Sequence, residues 1–222
     1  GSTGSFFNLF VVMANPGDQA ALVEATYLLD DGRTVTKSYT VAPSSRLTVY
    51  VNYEDPLLAN ASMSTKVRST NGVPIIVERA MWWPGPIPAQ WQEAHNSPGT
   101  TATGQAWALA DGEQGGTTGN ETYLCIANAS AFAGLVRVTL MFEDGSNQSL
   151  DFSVAANSRL TVYAGDSRGF GKWTANQRFG AVVESVSVGG QTAQIVVERA
   201  MYSSANGVFW AAGTDAVATR LR

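Results

Sequence analysis

Hydrophobic and polar residues alternate in two segments of the first half of this chain, and a period of two is typical of half-buried β-strands. In residues 46–51 the apolar Leu47, Val49 and Val51 fall on one face, while the polar neighbours fall on the other. Residues 63–69 alternate too, and the sequence predicts further strands at the nearly continuous apolar run 6–14, at 22–29 and 35–41, and at the β-rich run 75–82. Asp31-Gly32 lies between the strands at 22–29 and 35–41 and predicts a tight hairpin turn.

The second half repeats this pattern. It predicts strands at residues 122–127, 136–142, 150–154, 159–163, 181–188 and 194–201. No segment shows a sustained helical period, so we expect an all-β protein. Six or seven short strands per roughly 100 residues are the signature of an immunoglobulin-like antiparallel β-sandwich, although the Cys…Trp…Cys pattern of antibody domains is missing.

Two hexapeptides show that the halves arose by duplication. Ser45-Arg46-Leu47-Thr48-Val49-Tyr50 recurs unchanged 113 positions later, from Ser158 to Tyr163. The run Val-Glu-Arg-Ala-Met that starts at Val77 recurs at Val197, 120 positions later. A period above 100 residues marks a whole domain rather than a solenoid unit. The sequence therefore predicts two tandem sandwiches, which we call repeat 1 (residues 1–102) and repeat 2 (residues 103–222).

The border between the repeats lies in residues 96–105, which are rich in Ser, Pro, Gly and Thr. Trp107-Ala108-Leu109-Ala110 is predicted to open repeat 2 as an additional strand. Repeat 1 has no such strand at the corresponding place. We therefore expect the chain to belong to a longer array of repeats.

Composition and charge exclude several classes of function. The chain has 222 residues, is 45% hydrophobic and 14% charged, and carries a formal net charge of −4 without a basic run. Nucleic acid is a poor partner for it, because phosphate binding needs clustered Lys and Arg. No apolar stretch approaches the roughly 20 residues that cross a bilayer, so we expect no membrane insertion. With one His and one Cys, we expect no structural zinc site and no cofactor.

Several motifs resemble the tandem immunoglobulin-like repeat modules of large exported or surface proteins of bacteria. The matching residues are Val12-Met13-Ala14-Asn15-Pro16, the two Ser-Arg-Leu-Thr-Val-Tyr runs, the two Val-Glu-Arg-Ala-Met runs, His95-Asn96-Ser97-Pro98-Gly99 and Trp107-Ala108-Leu109-Ala110-Asp111-Gly112. The resemblance spans nearly the whole chain. It implies a non-catalytic, extracellular or cell-surface module whose partners are neighbouring repeats, and it implies no ligand. Repeat 2 departs from the pattern, since Thr214-Asp215-Ala216 stands where repeat 1 has His95-Asn96-Ser97.

Two glutamates lie inside apolar strands and need partners. Neighbours on a strand point to opposite faces, so one residue of each Glu-Arg pair should face inward, where a charge must be compensated. The repeated arginines Arg46 and Arg159 are candidates, and we predict the structural ion pairs Arg46–Glu78 and Arg159–Glu198. A catalytic carboxylate pair is excluded, because each repeat offers one glutamate here and no second acid.

Tryptophans supply the strongest candidate surface. Trp82, Trp83 and Trp91 follow the last long strand of repeat 1, and Trp91 matches Trp210 of repeat 2. They either fill the contact between the domains or stack on sugar rings, as in a carbohydrate-binding module. Buried tryptophans would favour a contact between the domains, and exposed, nearly coplanar tryptophans would favour carbohydrate binding.

Three further residues are weaker candidates. Trp173 lies in the segment of repeat 2 with no counterpart in repeat 1, in a basic and aromatic loop that either binds a partner or folds back on the sheet. Cys125 replaces Val12 and is expected to be a buried small hydrophobe. His95 could serve a hydrolase only beside a nucleophile or acid, and a histidine that forms hydrogen bonds at the domain junction is the simpler expectation.

The sequence therefore predicts a non-catalytic structural or interaction module, which spaces, displays or adheres within an exported bacterial protein. Its partners are neighbouring repeats and either a protein or a glycan. The main alternative is a carbohydrate-binding module that uses Trp82, Trp83, Trp91 or Trp173. A hydrolase centred on His95 is the weakest alternative.

Overall fold

The computed structural model describes residues 1–85 and 91–222, and most of them lie in antiparallel β-strands. The described strands of repeat 1 are β1 Asn8–Asn15, β2 Ala21–Leu29, β3 Thr34–Val41, β4 Ser45–Tyr50, β5 Met63–Ser69, β6 Ile76–Trp83 and β7 Glu93–Pro98. They form two sheets. Sheet I has the order β4-β1-β6-β7 and sheet II has the order β3-β2-β5.

Repeat 2 contains the same strands and three more. They are β8 Ala106–Leu109, β9 Glu113–Gln114, β10 Glu121–Asn128, β11 Gly134–Phe142, β12 Asn147–Val154, β13 Ser158–Tyr163, β14 Gln177–Val186, β15 Ile195–Ala205, β16 Val208–Val217 and β17 Thr219–Arg220. Sheet III, of order β13-β10-β15-β16, corresponds to sheet I. Sheet IV, of order β12-β11-β14-β8-β17 with β9 also paired to β14, corresponds to sheet II with additional strands.

The predicted hairpin turns are present in both repeats. Gly32 and Gly145 have positive φ angles of 85° and 82°, which glycine adopts without a steric penalty. The backbone N–H of Leu29 donates to the carbonyl of Arg33 at 3.0 Å and closes the first turn. Because the turn fixes the register, Val23, Ala25 and Tyr27 share the buried face of β2.

The two repeats do not form independent sandwiches, and in this respect the predicted immunoglobulin-like architecture needs correction. Repeat 2 has a core of its own between sheets III and IV. The core of repeat 1, however, includes Ala200 and Tyr202 from sheet III of the other repeat. The prediction of an all-β antiparallel protein is confirmed, but its four sheets resemble the blades of a four-bladed propeller more than two separate sandwiches.

All twelve of these predicted strands are present within a few residues of their expected ends. Strands β7 and β16 and the two-residue strands β9 and β17 were not predicted. In β7 the buried residues are His95 and Ser97, so its alternation is between polar or small residues and carries no hydrophobic signal. In the described part of the chain, no helix is long and apolar enough to cross a membrane.

Candidate functional site

A buried contact joins the two repeats, and we call it the seam. The face of sheet I that carries Arg79, Met81 and Trp83 points toward the core of repeat 1. On the β6–β7 side this face is covered by the outer face of sheet III, which carries Glu198 and Tyr202. The seam is therefore an inner surface of one repeat packed against an outer surface of the other.

A charged cluster lies in the middle of the seam. The Nη2 of Arg79 donates to Glu198 Oε1 and to Asp215 Oδ2, each at 2.7 Å. His95 Nδ1 lies 3.1 Å from Arg79 Nη1 and 3.2 Å from Asp215 Oδ1, and its Nε2 lies 3.3 Å from the hydroxyl of Tyr202. These side chains are largely buried, so each charge depends on its neighbours for compensation.

The local field favours the ionised forms of this cluster. Burial opposes ionisation of Glu198, but the charge of Arg79, the Gly1 amino group and the hydrogen bonds with Arg79 and Asp215 together outweigh it and hold the pKa of the carboxyl well below its usual range. Burial likewise opposes the charge of Arg79, and Glu198 and Asp215 raise its pKa in spite of that. Burial raises the pKa of the Tyr202 hydroxyl, so it stays protonated. The seam thus holds an ionised pair at neutral pH.

Acid should weaken the seam through Glu198. A carboxyl whose pKa is lower in the folded chain stabilises it above the unfolded value of about 4.3, and that stability is lost as the pH falls. When the pH falls from 7 to 3, the free energy of unfolding should decrease in both proteins. We expect the decrease to be smaller in Glu198→Gln than in the wild type, by on the order of 2 kcal/mol. Urea denaturation followed at several pH values measures this difference.

The matched control is Glu78→Gln. Glu78 is the residue of repeat 1 that corresponds to Glu198, but it is exposed on the outer face of sheet I. This variant should keep the pH profile of the wild type. Superimposable profiles for Glu198→Gln and the wild type would contradict the assigned role of Glu198.

Aromatic rings fill the rest of the seam. Trp83 is fully buried, and its indole N–H donates to the carbonyl of Trp210 at 2.8 Å. Tyr202 stacks on Trp210 with ring centroids 4.4 Å apart, and the ring of Phe7 lies 5.5 Å from Trp210 and 5.9 Å from Tyr202. Gly213 lies under Trp83, where a Cβ would come within 2.8 Å of the ring. The prediction that tryptophans fill the contact between the domains therefore agrees with the position of Trp83.

The ion pair predicted between Arg159 and Glu198 is wrong, because Glu198 pairs with Arg79 across the seam. Arg159 also lies in the seam, but it donates to the backbone carbonyls of Gly1 and Met63 and to Cys125 Sγ. Cys125 is buried as expected, although it faces repeat 1 rather than the core of its own sandwich. Sequence alone gives the face of each residue but not the repeat that covers it.

The pair predicted between Arg46 and Glu78 is also not formed. Both residues are exposed on the outer face of sheet I. Among the residues that the structure describes, no ion pair joins them. This face of repeat 1 has no second repeat packed on it, so its charges remain in water.

Five aromatic side chains form a cluster on that outer face, which we call the outer aromatic patch. Its members are Phe10, Tyr50, Tyr53, Trp82 and Trp91. Phe10 stacks on Tyr50 at 4.5 Å, and Trp82 lies 6.2 Å from Trp91 with their planes 35° apart. Tyr53, Trp91 and Trp82 are 81%, 50% and 37% exposed. Contiguous exposed aromatic surface of this kind marks an interaction site.

The outer aromatic patch and the seam use equivalent positions of the two repeats. Phe10, Tyr50, Trp82 and Trp91 correspond to Tyr123, Tyr163, Tyr202 and Trp210. The stack of Phe10 on Tyr50 recurs as Tyr123 on Tyr163, with centroids 4.7 Å apart. In repeat 2, Tyr123, Tyr202 and Trp210 of this surface pack against the core of repeat 1, whereas the patch of repeat 1 is open.

The remaining candidates lie apart from both surfaces or inside the seam. Trp173 lies in the short helix α1, Gly171–Thr174, where it packs on the core of repeat 2 beside Phe170. Lys172 covers its ring at 4.0 Å. His95 is buried at the junction, as expected, although it lies in strand β7 rather than in a loop. Within the described residues no three His, Cys, Asp or Glu side chains are grouped as a metal site would require.

Two residues of the charged cluster, Asp215 and Tyr202, were not predicted from the sequence. Asp215 stands where repeat 1 has Asn96, and the change from amide to carboxylate was the available signal. Tyr202 stands where repeat 1 has Trp82, and its hydroxyl is the group that reaches His95. Both substitutions make repeat 2 suited to meet Arg79 and His95.

Comparisons with known proteins add little. No protein-family model and no curated protein matches this chain. Thermotoga maritima 1070 is 15% identical over 55% of this chain and 97% of that one, with a TM-score of 0.43. The Anabaena sensory rhodopsin transducer is 21% identical over 46% and 91%, with a TM-score of 0.35. Bacillus subtilis oxalate decarboxylase is 7% identical over 96% and 66%, with a TM-score of 0.26. Likenesses this distant carry no argument about function.

Proposed function

We propose that this chain is a non-catalytic structural and interaction module. Its two repeats are held as one body by the seam, and the body presents the outer aromatic patch to a partner. One observation carries the proposal: the patch positions Phe10, Trp82 and Trp91 correspond to Tyr123, Tyr202 and Trp210, which repeat 2 packs against the core of repeat 1. A surface that makes a protein contact in one repeat is suited to make one in the other.

The charges around the patch support a protein partner of the same kind. Glu78 and Arg46 flank the patch as Glu198 and Arg159 flank the aromatic surface of repeat 2. A partner that resembles the inner face of repeat 1 would bring an arginine to Glu78, as Arg79 is brought to Glu198. The expected setting is an exported or surface protein of bacteria, in which neighbouring repeats stack on one another.

The enzyme alternative has little support. His95 is buried in the seam, between Arg79, Asp215 and Tyr202. A hydrolytic histidine needs a substrate cleft and a nucleophile within hydrogen-bond reach. His95 lines neither the surface depression beside Thr3 and Asn60 nor the one beside Gly17 and Asn71.

Carbohydrate binding is the second candidate, and the exposure of Trp82 and Trp91 favours it. Two half-exposed indoles with planes 35° apart offer ring faces to a sugar. The sequence also suggested Trp83 and Trp173 for this role. Trp83 is buried in the seam, and Trp173 packs on the core of repeat 2. A glycan site would therefore consist of Trp82 and Trp91 with Tyr50 and Tyr53.

A glycan-array screen of the intact protein separates the two functions. We expect no glycan to bind in a manner that depends on the patch. The matched control is the double variant Trp82→Ala/Trp91→Ala, which should fold, because both side chains contact solvent. A saturable glycan signal that this variant loses would replace the proposed function with carbohydrate binding.

A further inference from the structure

Strand β12 is an open edge of sheet IV. Among the described residues its only strand neighbour is β11, with which it forms eight consecutive residue pairs without a shift of register. The corresponding strand β3 is likewise the edge of sheet II, so this edge is a feature of both repeats. The open stretch of β12 ends at Ala155, beside which Gly32 of repeat 1 lies. An edge strand presents unpaired backbone groups, which are a template for pairing with another chain.

The hydrogen bonds of the β11–β12 hairpin show which backbone groups of β12 face outward. The N–H of Phe142 donates to the carbonyl of Ser146 at 2.9 Å, so these two residues form a hydrogen-bonded pair. Along an antiparallel pair of strands, hydrogen-bonded and non-hydrogen-bonded residue pairs alternate. The even-numbered residues of β12 therefore turn their backbone groups toward β11, and residues 147, 149, 151 and 153 turn theirs toward the open edge.

Repeat 1 protects this edge with a charge, and repeat 2 does not. Lys37, in the middle of β3, lies on the same face as the buried residues of that strand and donates to Asp55 Oδ2 at 3.0 Å. An inward-pointing charge of this kind opposes pairing with a second strand. Leu150 stands 113 positions later, where it packs on the core of repeat 2 and is only partly buried. Strand β12 contains neither lysine nor proline, and its one charged residue, Asp151, is held by Arg137 of β11 at 2.7 Å.

The sequence of β12 is suited to pair with a second copy of itself about a two-fold axis at Leu150. In that register the two Leu150 side chains meet, in a non-hydrogen-bonded pair whose Cα atoms lie about 4.5 Å apart. Ser149 lies opposite Asp151 of the second copy and has a hydroxyl to donate to that carboxylate, and Asn147 lies opposite Ser153. Because the axis is two-fold, each of these pairs occurs twice. An axis at Asp151 would instead place two carboxylates directly opposite each other, which is unfavourable.

We infer that the chain associates with a second copy by antiparallel pairing of β12 with β12, which joins the two copies of sheet IV into one continuous sheet. The four outward-facing residues of each strand then exchange backbone hydrogen bonds across the axis. The same pairing of β3 would bring two Lys37 ammonium groups together, and their repulsion opposes it. The interface of one strand pair is small, so the dimer is weak and forms as the concentration rises. It uses a surface apart from the outer aromatic patch and goes beyond the proposed function.

Cysteine cross-linking of the intact chain tests the register. Leu150→Cys places two thiols at the axis, where a Cα separation of about 4.5 Å is one that a disulfide bridges. With oxidised glutathione as the oxidant, we expect a disulfide-linked dimer in non-reducing electrophoresis. Gln148→Cys is the matched control, because it lies on the same face but opposite Phe152 of the second copy, and it should stay monomeric. The native Cys125 is buried and present in both variants. Equal cross-linking of the two variants, or none with Leu150→Cys, would overturn the inference.

Sedimentation equilibrium over a series of concentrations measures the association itself. We expect the average mass of the wild type to rise from 23.5 kDa toward twice that value. Ser149→Pro should remain a monomer, because proline removes an outward-facing N–H and leaves the hydrogen bonds to β11 in place. Thr36→Pro, at the corresponding position of β3, is the matched control and should associate as the wild type does. A wild type that stays monomeric, or equal association of the two proline variants, would contradict the β12 pairing.

The double variant Trp82→Ala/Trp91→Ala separates this inference from the proposed function. It should dimerise as the wild type does, because the β12 pairing does not use the outer aromatic patch. If this variant loses the dimer and Ser149→Pro keeps it, the association occurs through the patch. That result would overturn the β12 pairing and leave the proposed function standing.

Discussion

Replacing Trp83 with alanine should lower the free energy of unfolding by about 3–5 kcal/mol. The side chain is fully buried between the repeats, where it packs against Phe7, His95 and Tyr202. The substitution also removes the hydrogen bond to the carbonyl of Trp210. Chemical denaturation followed by far-ultraviolet circular dichroism measures the loss.

The neighbouring tryptophan is the control. Trp82 lies on the opposite face of β6 and is 37% exposed, so Trp82→Ala should cost about 1 kcal/mol or less. Gly213→Ala disturbs the same contact from the side of repeat 2, because the added methyl group meets the Trp83 ring. It should lower the free energy of unfolding by about 1–3 kcal/mol. Equal losses for Trp82→Ala and Trp83→Ala would show that Trp83 does not hold the repeats together.

Replacing Arg79 with methionine should lower the free energy of unfolding by about 3–5 kcal/mol. The change leaves Glu198 and Asp215, both largely buried, without the cation that compensates them. The stability of this variant should partly recover in mild acid, because protonation of the orphaned carboxylates removes their unpaired charge. Thermal denaturation at pH 7 and pH 4.5 measures both effects.

The exposed Arg46 supplies the control for charge alone. Arg46→Met changes the net charge by the same amount, and its effect should stay within about 0.5 kcal/mol. A double-mutant cycle of Arg79→Met with Glu198→Gln should show clear coupling, since the two side chains share a hydrogen bond. Strict additivity of the two substitutions would contradict the ion pair.

Most strands could be predicted from the sequence, because alternation reports directly which face of a strand is buried. Strand β6 and its repeat β15 were found from their apolar residues. Since neighbours on a strand point to opposite faces, the glutamate and the arginine of each Glu-Arg pair were also assigned to opposite faces of their sheet. Strand β7 was missed because His95 and Ser97 are its buried residues. Alternation of polar residues is invisible to a hydrophobic pattern.

The partners of the charged residues could not be predicted, because they depend on which repeat covers each face. Arg79 and Arg199 occupy the same position of identical pentapeptides. Arg199 pairs with Asp111, which follows β8, whereas Arg79 pairs with Glu198 and Asp215. In repeat 1 the outer face of sheet III covers this arginine. Tertiary arrangement thus gives one local sequence two different sets of partners.

The central claim is that the seam makes the two repeats one rigid body, and ¹⁵N relaxation of the amides in the intact chain tests it most directly. If the seam holds, residues of β3 in sheet II and of β11 in sheet IV should report one common rotational correlation time, as expected for a single particle of 23.5 kDa. The variant Trp83→Ala should lower that common value or split it. Two separate and shorter correlation times in the wild type, one for each repeat, would contradict the account.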